Sequence, residues 1–216
     1  MRVLQFGEGN FLRAFSDCMI DIANEKGIFD GSIAVVKPKP TGSLERFRRQ
    51  DCMYTVVFHG RRNGETVDSA RIVTSIDAVY HPLEDYDAWM ALAALDTLQF
   101  IFSNTTEAGI QYVKGVDTFP AKIARLVAAR CRANLPGLVF LPCELIEHNG
   151  DKLKECTKKY IDDPAVLAWL EKECVFCSTL VDRIVAGRPD PASAERYAQQ
   201  LGDTIVARIL RALRNT

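Results

Sequence analysis

Apolar and polar positions near the start of the chain follow two different spacings. Residues 3–6 form a mostly apolar run that ends at Gly7, which predicts a short buried strand. Over residues 11–23, apolar side chains recur at helical spacing, which predicts an amphipathic helix capped by Gly27. A second apolar run over residues 33–36 predicts another buried strand. The order of strand, glycine turn, helix and strand predicts the opening of a right-handed parallel crossover unit.

The pattern changes after residue 50 and then returns to alternating strands and helices. Residues 54–58 and 65–76 are rich in β-branched side chains and flank Asn63-Gly64, which predicts an antiparallel hairpin. Further predicted helices cover residues 83–95, 121–131, 145–160 and 164–173, and further predicted strands cover residues 98–103 and 138–141. The chain therefore predicts an α/β fold with a doubly wound, mostly parallel sheet and an antiparallel hairpin insertion.

The end of the chain predicts a short helical tail after a domain that covers residues 1–189. Arg188-Pro189-Asp190-Pro191 is typical of a linker, and residues 192–201 predict a helix that ends at Gly202. The tail, residues 190–216, then carries an apolar stripe of Ile205, Ile209, Leu210 and Leu213 beside arginines. A basic amphipathic helix of this kind lies on a membrane or packs on its own domain, and we favour packing.

Composition indicates an ordinary globular protein. Hydrophobic residues make up 48% of the 216 residues and charged residues 25%, and the formal net charge is −1, so nothing favours nonspecific binding to nucleic acid or to a membrane. The sequence enters a strand pattern directly and has no long apolar run, which predicts a cytoplasmic protein. The seven cysteines fit free thiols, and Cys174-x-x-Cys177 supplies only half a zinc site, so no metal is expected.

The glycine turn carries the first candidate chemistry. Gly7 and Gly9 follow a predicted strand and open a predicted helix, which is the context of a dinucleotide-binding fingerprint. Gly7 permits the tight turn, Gly9 leaves the backbone open to a pyrophosphate, and the free amides of the first helical turn point at that anion. Leu12 replaces the usual third glycine. A plain tight turn is the alternative interpretation, and the strand–turn–helix context favours binding.

The second predicted strand does not end in the acidic residue that usually binds the adenosine ribose. Lys37 stands there instead, and Lys39 follows it. A cation at this point attracts the 2′-phosphate of NADP, or it is simply a solvated lysine at the edge of the sheet. Taken by themselves, these residues leave the choice between NAD and NADP open.

Four separated segments resemble the mannitol dehydrogenase family of long-chain polyol-specific dehydrogenases. They are FGEGNFLRAF from Phe6, SNTTEAG from Ser103, PCELIEHNG from Pro142 and VDRIV from Val181. The segments stand in the order found in the family, and the resemblance extends from Val3 to about Pro189. Within the family, the sequences of these segments are most similar to those of members that act on hexuronate-derived sugar acids.

The resemblance implies a Rossmann-type NAD-binding domain of an enzyme that transfers hydride between NAD(H) and a hexuronate-derived keto acid. The pyrophosphate side of NAD would be bound by Phe6, Gly7, Glu8, Gly9, Asn10, Phe11, Leu12, Arg13 and Ala14, and the nicotinamide ribose by Asn104, Thr105 and Thr106. Asn149 and Asp182 would contact the sugar-acid substrate. In the alternative interpretation, Asn149 belongs to a turn and Asp182 forms a surface ion pair with Arg183.

Two features depart from the pattern of the family. Glu144-Leu145 replaces an Asp-Asn pair whose asparagine helps to polarise the reacting oxygen in the family. The family's catalytic lysine belongs to a Lys-x4-Asn-x2-His motif in a later helical domain, and no such motif occurs in these 216 residues. We therefore expect this chain to bind the cofactor, to contribute no catalytic residue and not to turn over alone.

These departures leave alternatives open. Either the chain represents another branch of the same family, or it is a nucleotide-binding or interaction module without catalytic activity. The surface that the later domain covers in the family would be exposed here, which favours self-association unless the apolar stripe of the tail covers it.

Overall fold

The structure, a computed structural model, describes residues 1–214, and of residues 203–214 it describes only the backbone. The strands are β1 (Val3–Phe6), β2 (Ile33–Val36), β3 (Tyr54–Arg62), β4 (Glu65–Val73), β5 (Ile76–Tyr80), β6 (Phe100–Ser103), β7 (Val139–Pro142) and β8 (Val175–Phe176). The α-helices are α1 (Asn10–Ala14), α2 (Ser16–Glu25), α3 (Glu45–Arg49), α4 (Tyr86–Ala91), α5 (Phe119–Arg132), α6 (Asn149–Lys158), α7 (Pro164–Glu173) and α8 (Pro191–Arg214).

Among the described residues, six strands form one parallel sheet in the order β5-β2-β1-β6-β7-β8. Val3 of β1 pairs with Ile33 of β2 on one side and with Phe100 of β6 on the other, so the direction of winding reverses at β1. In doubly wound sheets, ligands bind at the carboxyl ends of the strands where this reversal occurs. β3 and β4 form a separate antiparallel ribbon that turns at Asn63 and Gly64. The predicted fold class is therefore confirmed.

The two faces of the sheet are covered by separate apolar clusters. On one face, the Phe6 ring lies 6.0 Å from the Trp89 ring and 4.9 Å from the Phe119 ring. On the other face, Val3 and Ile33 pack in a cluster that includes residues of α2, α3 and the hairpin. Because helices or the hairpin cover both faces, β1 and β2 are buried along their whole length. This burial explains why the sequence of both strands is an almost continuous apolar run.

The connection between the hairpin and the parallel sheet differs from the prediction. The sequence predicts one strand over residues 65–76, whereas β4 ends at Val73 and β5 begins at Ile76 in the other sheet. The carboxylate of Asp21 on α2 accepts hydrogen bonds from the backbone N–H of Thr74 at 2.7 Å and from its hydroxyl at 3.0 Å. This contact with a distant helix turns the chain out of the hairpin and into the parallel sheet.

Several helices also differ from their predicted spans. The single helix predicted after the glycine turn is two helices, because the backbone breaks at Phe15 (φ −108°, ψ −92°). The helix predicted over residues 145–160 begins only at Asn149, because His148 adopts a left-handed conformation (φ 52°, ψ 45°). The short helix α3 was not predicted, since its sequence ERFRR has only one apolar residue.

The tail helix continues farther than predicted. The sequence predicts an end at Gly202, and this prediction is wrong because α8 runs through Gly202 to Arg214. A glycine inside a helix costs about 1 kcal/mol relative to alanine, which lowers helix stability without ending the helix. At its start, α8 contacts the hairpin: Arg196 pairs with Asp68 of β4 at 2.6 Å, and Tyr197 donates its hydroxyl to the same carboxylate.

The apolar stripe predicted over residues 205–213 lies outside the described side chains, so its packing stays a prediction. The domain boundary predicted near residue 189 stays a prediction as well. Within the part of the chain that the structure describes, no helix combines the length and the apolar character that a membrane crossing requires.

Asp17 is a fully buried carboxyl group where α2, the hairpin and the glycine turn meet. It accepts hydrogen bonds from the Tyr54 hydroxyl at 3.0 Å and from the Ser16 hydroxyl at 3.1 Å. The side chain of Gln5 donates to Asp17 at 3.4 Å and to the Gly7 carbonyl at 3.1 Å, which links the carboxyl group to the glycine turn. Burial raises the pKa of Asp17 from 3.8 to about 7.

Replacing Asp17 with asparagine is expected to flatten the dependence of stability on pH. Because the pKa is higher in the folded state, the folded chain binds more protons than the unfolded chain between about pH 4 and pH 7. The resulting contribution to the free energy of unfolding is complete below the unfolded pKa and is lost as the pH rises through the folded pKa. Urea unfolding across this range should show a loss in the wild type that Asp17→Asn lacks.

Asp162 supplies a matched control for this substitution, because it is exposed at the surface. Asp162→Asn should keep the pH dependence of the wild type. If Asp17→Asn and the wild type lost the same free energy of unfolding over this pH range, the raised pKa of Asp17 would be contradicted.

Candidate functional site

The two glycines of the turn after β1 have different surroundings. Gly7 has φ +125°, and a Cβ at this position would lie 2.8 Å from the carbonyl oxygen of Asn104. Any other residue there would strain the backbone and displace the loop after β6. Gly9 has φ −70°, and nothing lies within 4 Å of the position that its Cβ would take. Gly7 makes the turn, and Gly9 borders an open space above it.

α1 begins directly beside that open space. Asn10 is its first residue, and no side chain caps the N-terminus of the helix. The first N–H groups of a helix have no acceptor within the helix, so they are available to an anion. Leu12, which replaces the usual third glycine, is buried and would lie 3.5 Å from a Cβ on Gly7. The turn is therefore packed on one side and open on the other.

Only part of the predicted pyrophosphate segment borders the opening. Phe6 and Leu12 are buried, and the Phe11 ring stacks on the Phe15 ring at 5.3 Å. The carbonyl of Ala14 is occupied, because it accepts a hydrogen bond from a distant arginine. The open side is bordered by Glu8, Gly9, Asn10 and Arg13. The buried residues of the segment, Phe6 and Leu12, pack beneath the turn in the interior of the protein.

Lys37 at the end of β2 is buried. Its Nζ lies 3.0 Å from the Glu8 carboxylate, and its side chain is 1% exposed. A Cβ on Gly42 would lie 3.3 Å from the same Nζ, so the loop after β2 covers the lysine. The interpretation of Lys37 as a solvated lysine at the sheet edge is therefore wrong. Glu8, 29% exposed, places a carboxylate near the end of β2, where such sheets usually carry an acidic residue.

The loop after β6 lies beside the glycine turn. The side-chain amide of Asn104, which is half-buried, donates to the Cys143 carbonyl at 2.7 Å. Thr105 is buried, and its backbone N–H and its hydroxyl donate to the Glu144 carboxylate at 2.8 and 3.0 Å. Thr106 is exposed in a left-handed conformation with φ +73°. Thr105 therefore holds the loop in place, and Thr106 is the threonine of the loop that faces solvent.

Glu144 organises this loop, and sequence reasoning assigned it no role. It is buried after β7 and also accepts a hydrogen bond from the Ser103 hydroxyl at 3.0 Å. Burial raises the pKa of the carboxyl group, and the hydrogen bonds from Thr105 and Ser103 act in the opposite direction. The available signal was an acidic residue two positions after an apolar strand, where a buried carboxylate requires hydrogen-bonding partners.

Asn149 has a structural role at the start of α6. Its side chain is buried, and its amide nitrogen lies 3.0 Å from the carbonyl oxygens of both Pro142 and Glu144. Its amide oxygen accepts the backbone N–H of Thr179 at 2.8 Å. These bonds join β7, α6 and the chain after β8. The polar atoms of the Asn149 side chain are therefore used inside the protein, and its contact with the substrate stays a prediction.

Residues 177–190, which we call the strap, connect β8 to α8 in an irregular conformation. A Cβ on Gly150 would lie 2.5 Å from the backbone carbon of Cys177, so the strap crosses the start of α6 in close contact. Farther along, Arg183 donates to the carbonyl of Ala14 at the break between α1 and α2. The strap therefore fastens the end of the parallel sheet to the helix of the glycine turn.

Asp182 lies exposed on the strap. Its neighbour Arg183 is directed at the Ala14 carbonyl, and its guanidinium lies 6.0 Å from the Phe15 ring centroid and 5.9 Å from that of Phe58. The structure therefore contradicts the alternative interpretation, in which Asp182 and Arg183 form a surface ion pair. Asp182 remains accessible to a ligand, unlike the buried asparagine at the start of α6.

A cleft of about 450 Å³ opens beside the glycine turn. It is lined by Glu8, Asn10, Arg13, Ser43, Glu45, Arg46, Phe47 and Arg188. The lining combines residues of the predicted pyrophosphate segment with the region of α3 and with the strap. Sequence reasoning missed Arg46 and Arg188, because no local pattern distinguishes them from solvated arginines. A groove of about 490 Å³ between α6 and α7 contains none of the predicted cofactor residues.

Comparison of sequences shows that this chain is similar to named oxidoreductases. Residues 1–206 match the family model for the mannitol dehydrogenase Rossmann domain. Altronate oxidoreductase of Escherichia coli O7:K1 is 40% identical to the chain, over 93% of this chain and 45% of that protein. Altronate oxidoreductase of Halalkalibacterium halodurans is also 40% identical, over 93% of this chain and 42% of that protein. The chain therefore spans less than half the length of these curated relatives.

Solved structures share the fold at lower sequence identity. Pseudomonas fluorescens mannitol 2-dehydrogenase, solved as a ternary complex with NAD and D-mannitol, superposes with a TM-score of 0.77 at 18% identity, over 92% of this chain and 45% of that chain. D-sorbitol dehydrogenase in substrate-free form superposes with a TM-score of 0.70 at 20% identity, over 94% of this chain and 46% of that chain. Both likenesses concern the arrangement of the parallel sheet and its helices.

Proposed function

Because this chain belongs to the mannitol dehydrogenase family, we propose that it binds a nicotinamide dinucleotide at the glycine turn after β1. The contrast between the two glycines carries the proposal. Packing against Asn104 requires a glycine at position 7, whereas no contact within the described residues requires one at Gly9. A glycine that packing does not require costs conformational entropy on folding. A pyrophosphate that approaches the backbone at Gly9 explains why this space is kept open.

We propose NAD rather than NADP as the cofactor. The partly exposed carboxylate of Glu8 can accept hydrogen bonds from ribose hydroxyls, whereas it has no donor to offer a 2′-phosphate. Lys37 is already paired with Glu8 and is covered by the loop after β2, so it offers no free cation to that phosphate. The NAD complex of Pseudomonas fluorescens mannitol 2-dehydrogenase, which has the same fold, is consistent with this choice.

We further propose that the whole enzyme interconverts D-tagaturonate and D-altronate in hexuronate breakdown. The 40% identity to altronate oxidoreductases supports this reaction. Within these residues, Asn104, Thr105 and Thr106 would lie at the nicotinamide ribose, with Thr105 bound to Glu144 and Thr106 exposed. Asp182, exposed on the strap, would contact the sugar acid.

Reduction of the keto group also requires chemistry that these residues do not supply. Hydride transfer to a ketone leaves alkoxide charge, so a proton donor and a group that stabilises the charge must be positioned there. By the family resemblance, both come from a lysine in a Lys-x4-Asn-x2-His motif, which the 216 residues do not contain. We therefore propose that the 216-residue chain binds NAD and does not turn over substrate alone.

Titration of the purified 216-residue chain with NADH tests the proposal. Calorimetry should detect binding of NADH and weaker binding of NADPH, and the melting temperature should rise with NADH concentration. No binding of either dinucleotide at millimolar concentration would refute the proposed function. In the same sample, D-tagaturonate should cause no measurable oxidation of NADH. Steady oxidation would show that the proton donor lies within these residues.

A further inference from the structure

The cleft beside the glycine turn collects positive charge from three separate elements. Arg13 belongs to α1, Arg46 to α3 and Arg188 to the strap, and all three line the cleft. Among the described residues, no ion pair joins any of these arginines to a carboxylate within 4.0 Å. Like charges that share a cleft repel one another, so this arrangement favours a bound anion.

The acidic residues of the cleft are engaged with other partners. The carboxylate of Glu8 lies 3.0 Å from the Nζ of Lys37. The carboxylate of Glu45 lies 3.0 Å from the Nε of Arg49, one turn farther along α3. The charge of the three arginines is therefore not neutralised by the acidic residues beside them.

Arg13 is held in one position and has few polar partners. Its guanidinium carbon lies 4.3 Å from the centroid of the Tyr54 ring and 4.9 Å from that of the Phe47 ring. The buried Nε of Arg13 has no hydrogen-bonding partner among the described residues. Burial lowers the pKa of Arg13, and the nearby charge of Arg188 acts in the same direction, whereas Tyr54 and Asp17 act in the opposite direction. Both effects would be offset by an anion in the cleft.

Contacts made by residues before and after Arg188 in the sequence hold it over the cleft. Before it, Arg183 donates to the Ala14 carbonyl. After it, Asp190 accepts the backbone N–H of Ser193 at 3.0 Å and its hydroxyl at 2.7 Å, which fixes the start of α8. The strap therefore brings Arg188 back to the first helix of the chain.

We propose that Arg13, Arg46 and Arg188 bind the 5′-diphosphate of the dinucleotide, so that the strap takes part in cofactor binding. The inference rests on the proposed function. Guanidinium groups bind phosphate oxygens through paired, charge-assisted hydrogen bonds. Glu8 and Asn10 of the glycine turn line the same cleft, which places the arginines beside the backbone that a pyrophosphate approaches. The 2′-phosphate of NADP has the same chemistry, and the test separates the two sources.

The test uses Arg46→Gln and Arg188→Gln in the 216-residue chain, titrated by calorimetry with NADH and with ADP. ADP carries the 5′-diphosphate without the nicotinamide half. Each substitution should raise the dissociation constants of both ligands about tenfold, because a charge-assisted contact to phosphate is lost. Arg132→Gln, at an exposed position on α5, is the control and should leave both constants unchanged.

NADPH and 2′,5′-ADP distinguish the two phosphate sources. If the substitutions weakened the binding of these two ligands alone, the assignment to the 5′-diphosphate would be overturned. Unchanged dissociation constants for all four ligands would overturn it as well. If the wild type did not bind NADH but bound ADP, and Arg188→Gln weakened that binding, the arginines would still be shown to bind a diphosphate. The proposed function would then fail.

Discussion

Gly9→Ala is expected to weaken NADH binding strongly while leaving the fold unchanged. The backbone at Gly9 has φ −70°, which alanine adopts without strain, and an added methyl group would meet no atom within 4 Å. The same methyl group would stand in the space through which the pyrophosphate reaches the backbone. We expect the affinity for NADH to fall at least about tenfold, which corresponds to roughly 1.4 kcal/mol of binding free energy.

Two other glycine substitutions make this result specific. Gly7→Ala should lower both stability and affinity, because Gly7 has φ +125° and an added Cβ would lie 2.8 Å from the Asn104 carbonyl. Gly60→Ala, in β3 with open space around it, should leave affinity unchanged and should not lower stability. Urea unfolding measures stability and calorimetry measures affinity. If Gly9→Ala bound NADH as tightly as the wild type, the cofactor would not approach the backbone at this glycine.

The parts of the fold that could be predicted from the sequence are those fixed by local patterns. The apolar runs at residues 3–6 and 33–36 mark strands that are buried on both faces, and Asn63-Gly64 marks the hairpin turn. The family resemblance is confirmed by the family model that matches residues 1–206. It could be predicted because the four segments and their order are visible in the sequence alone. For the strands and the hairpin, the signal lies within a few residues of the feature.

The parts that could not be predicted depend on partners far along the chain. The resemblance implies that Asn149 contacts the substrate, whereas in the structure its side chain is buried and bonded to Thr179, 30 residues farther along the chain. Lys37 was considered a solvated lysine or a phosphate-binding cation, but Glu8, which precedes it by 29 residues, holds it under a loop. A short-range pattern cannot reveal which buried polar residue will find a partner.

The strap shows the same difficulty at the cofactor site. The sequence Arg188-Pro189-Asp190-Pro191, where the strap meets α8, is typical of a linker, and a linker has no fixed position. The bond from Arg183 to Ala14, across 169 positions of sequence, fixes its path and brings Arg188 to the cleft. Candidate residues for one site therefore come from both ends of the described chain, and only the folded structure shows that they meet.

Arg130 is a buried charged residue near the amino ends of β6 and β7. It lies near the end of α5 and is fully buried, at 0% exposure. Its guanidinium donates to the carbonyls of Ala93 and Leu95 at 2.9 and 2.8 Å, and to that of Pro136 at 2.9 and 3.1 Å. Arg130 thus ties α5 to the segment before β6 and to the loop before β7. Burial lowers its pKa, but a guanidinium stays charged in proteins.

Arg130→Met is expected to lower the free energy of unfolding by about 3 kcal/mol, because the carbonyl groups of Ala93, Leu95 and Pro136 lose their charged donor. Methionine fills a similar length of space, so the loss reflects the hydrogen bonds more than a cavity. Arg132→Met, two positions later on the same helix but exposed, should change stability by less than about 0.5 kcal/mol. Urea unfolding of both variants tests the difference. Equal stability of the two would mean that water or a rearranged backbone replaces the guanidinium, and that Arg130 is not what fixes the amino end of β6.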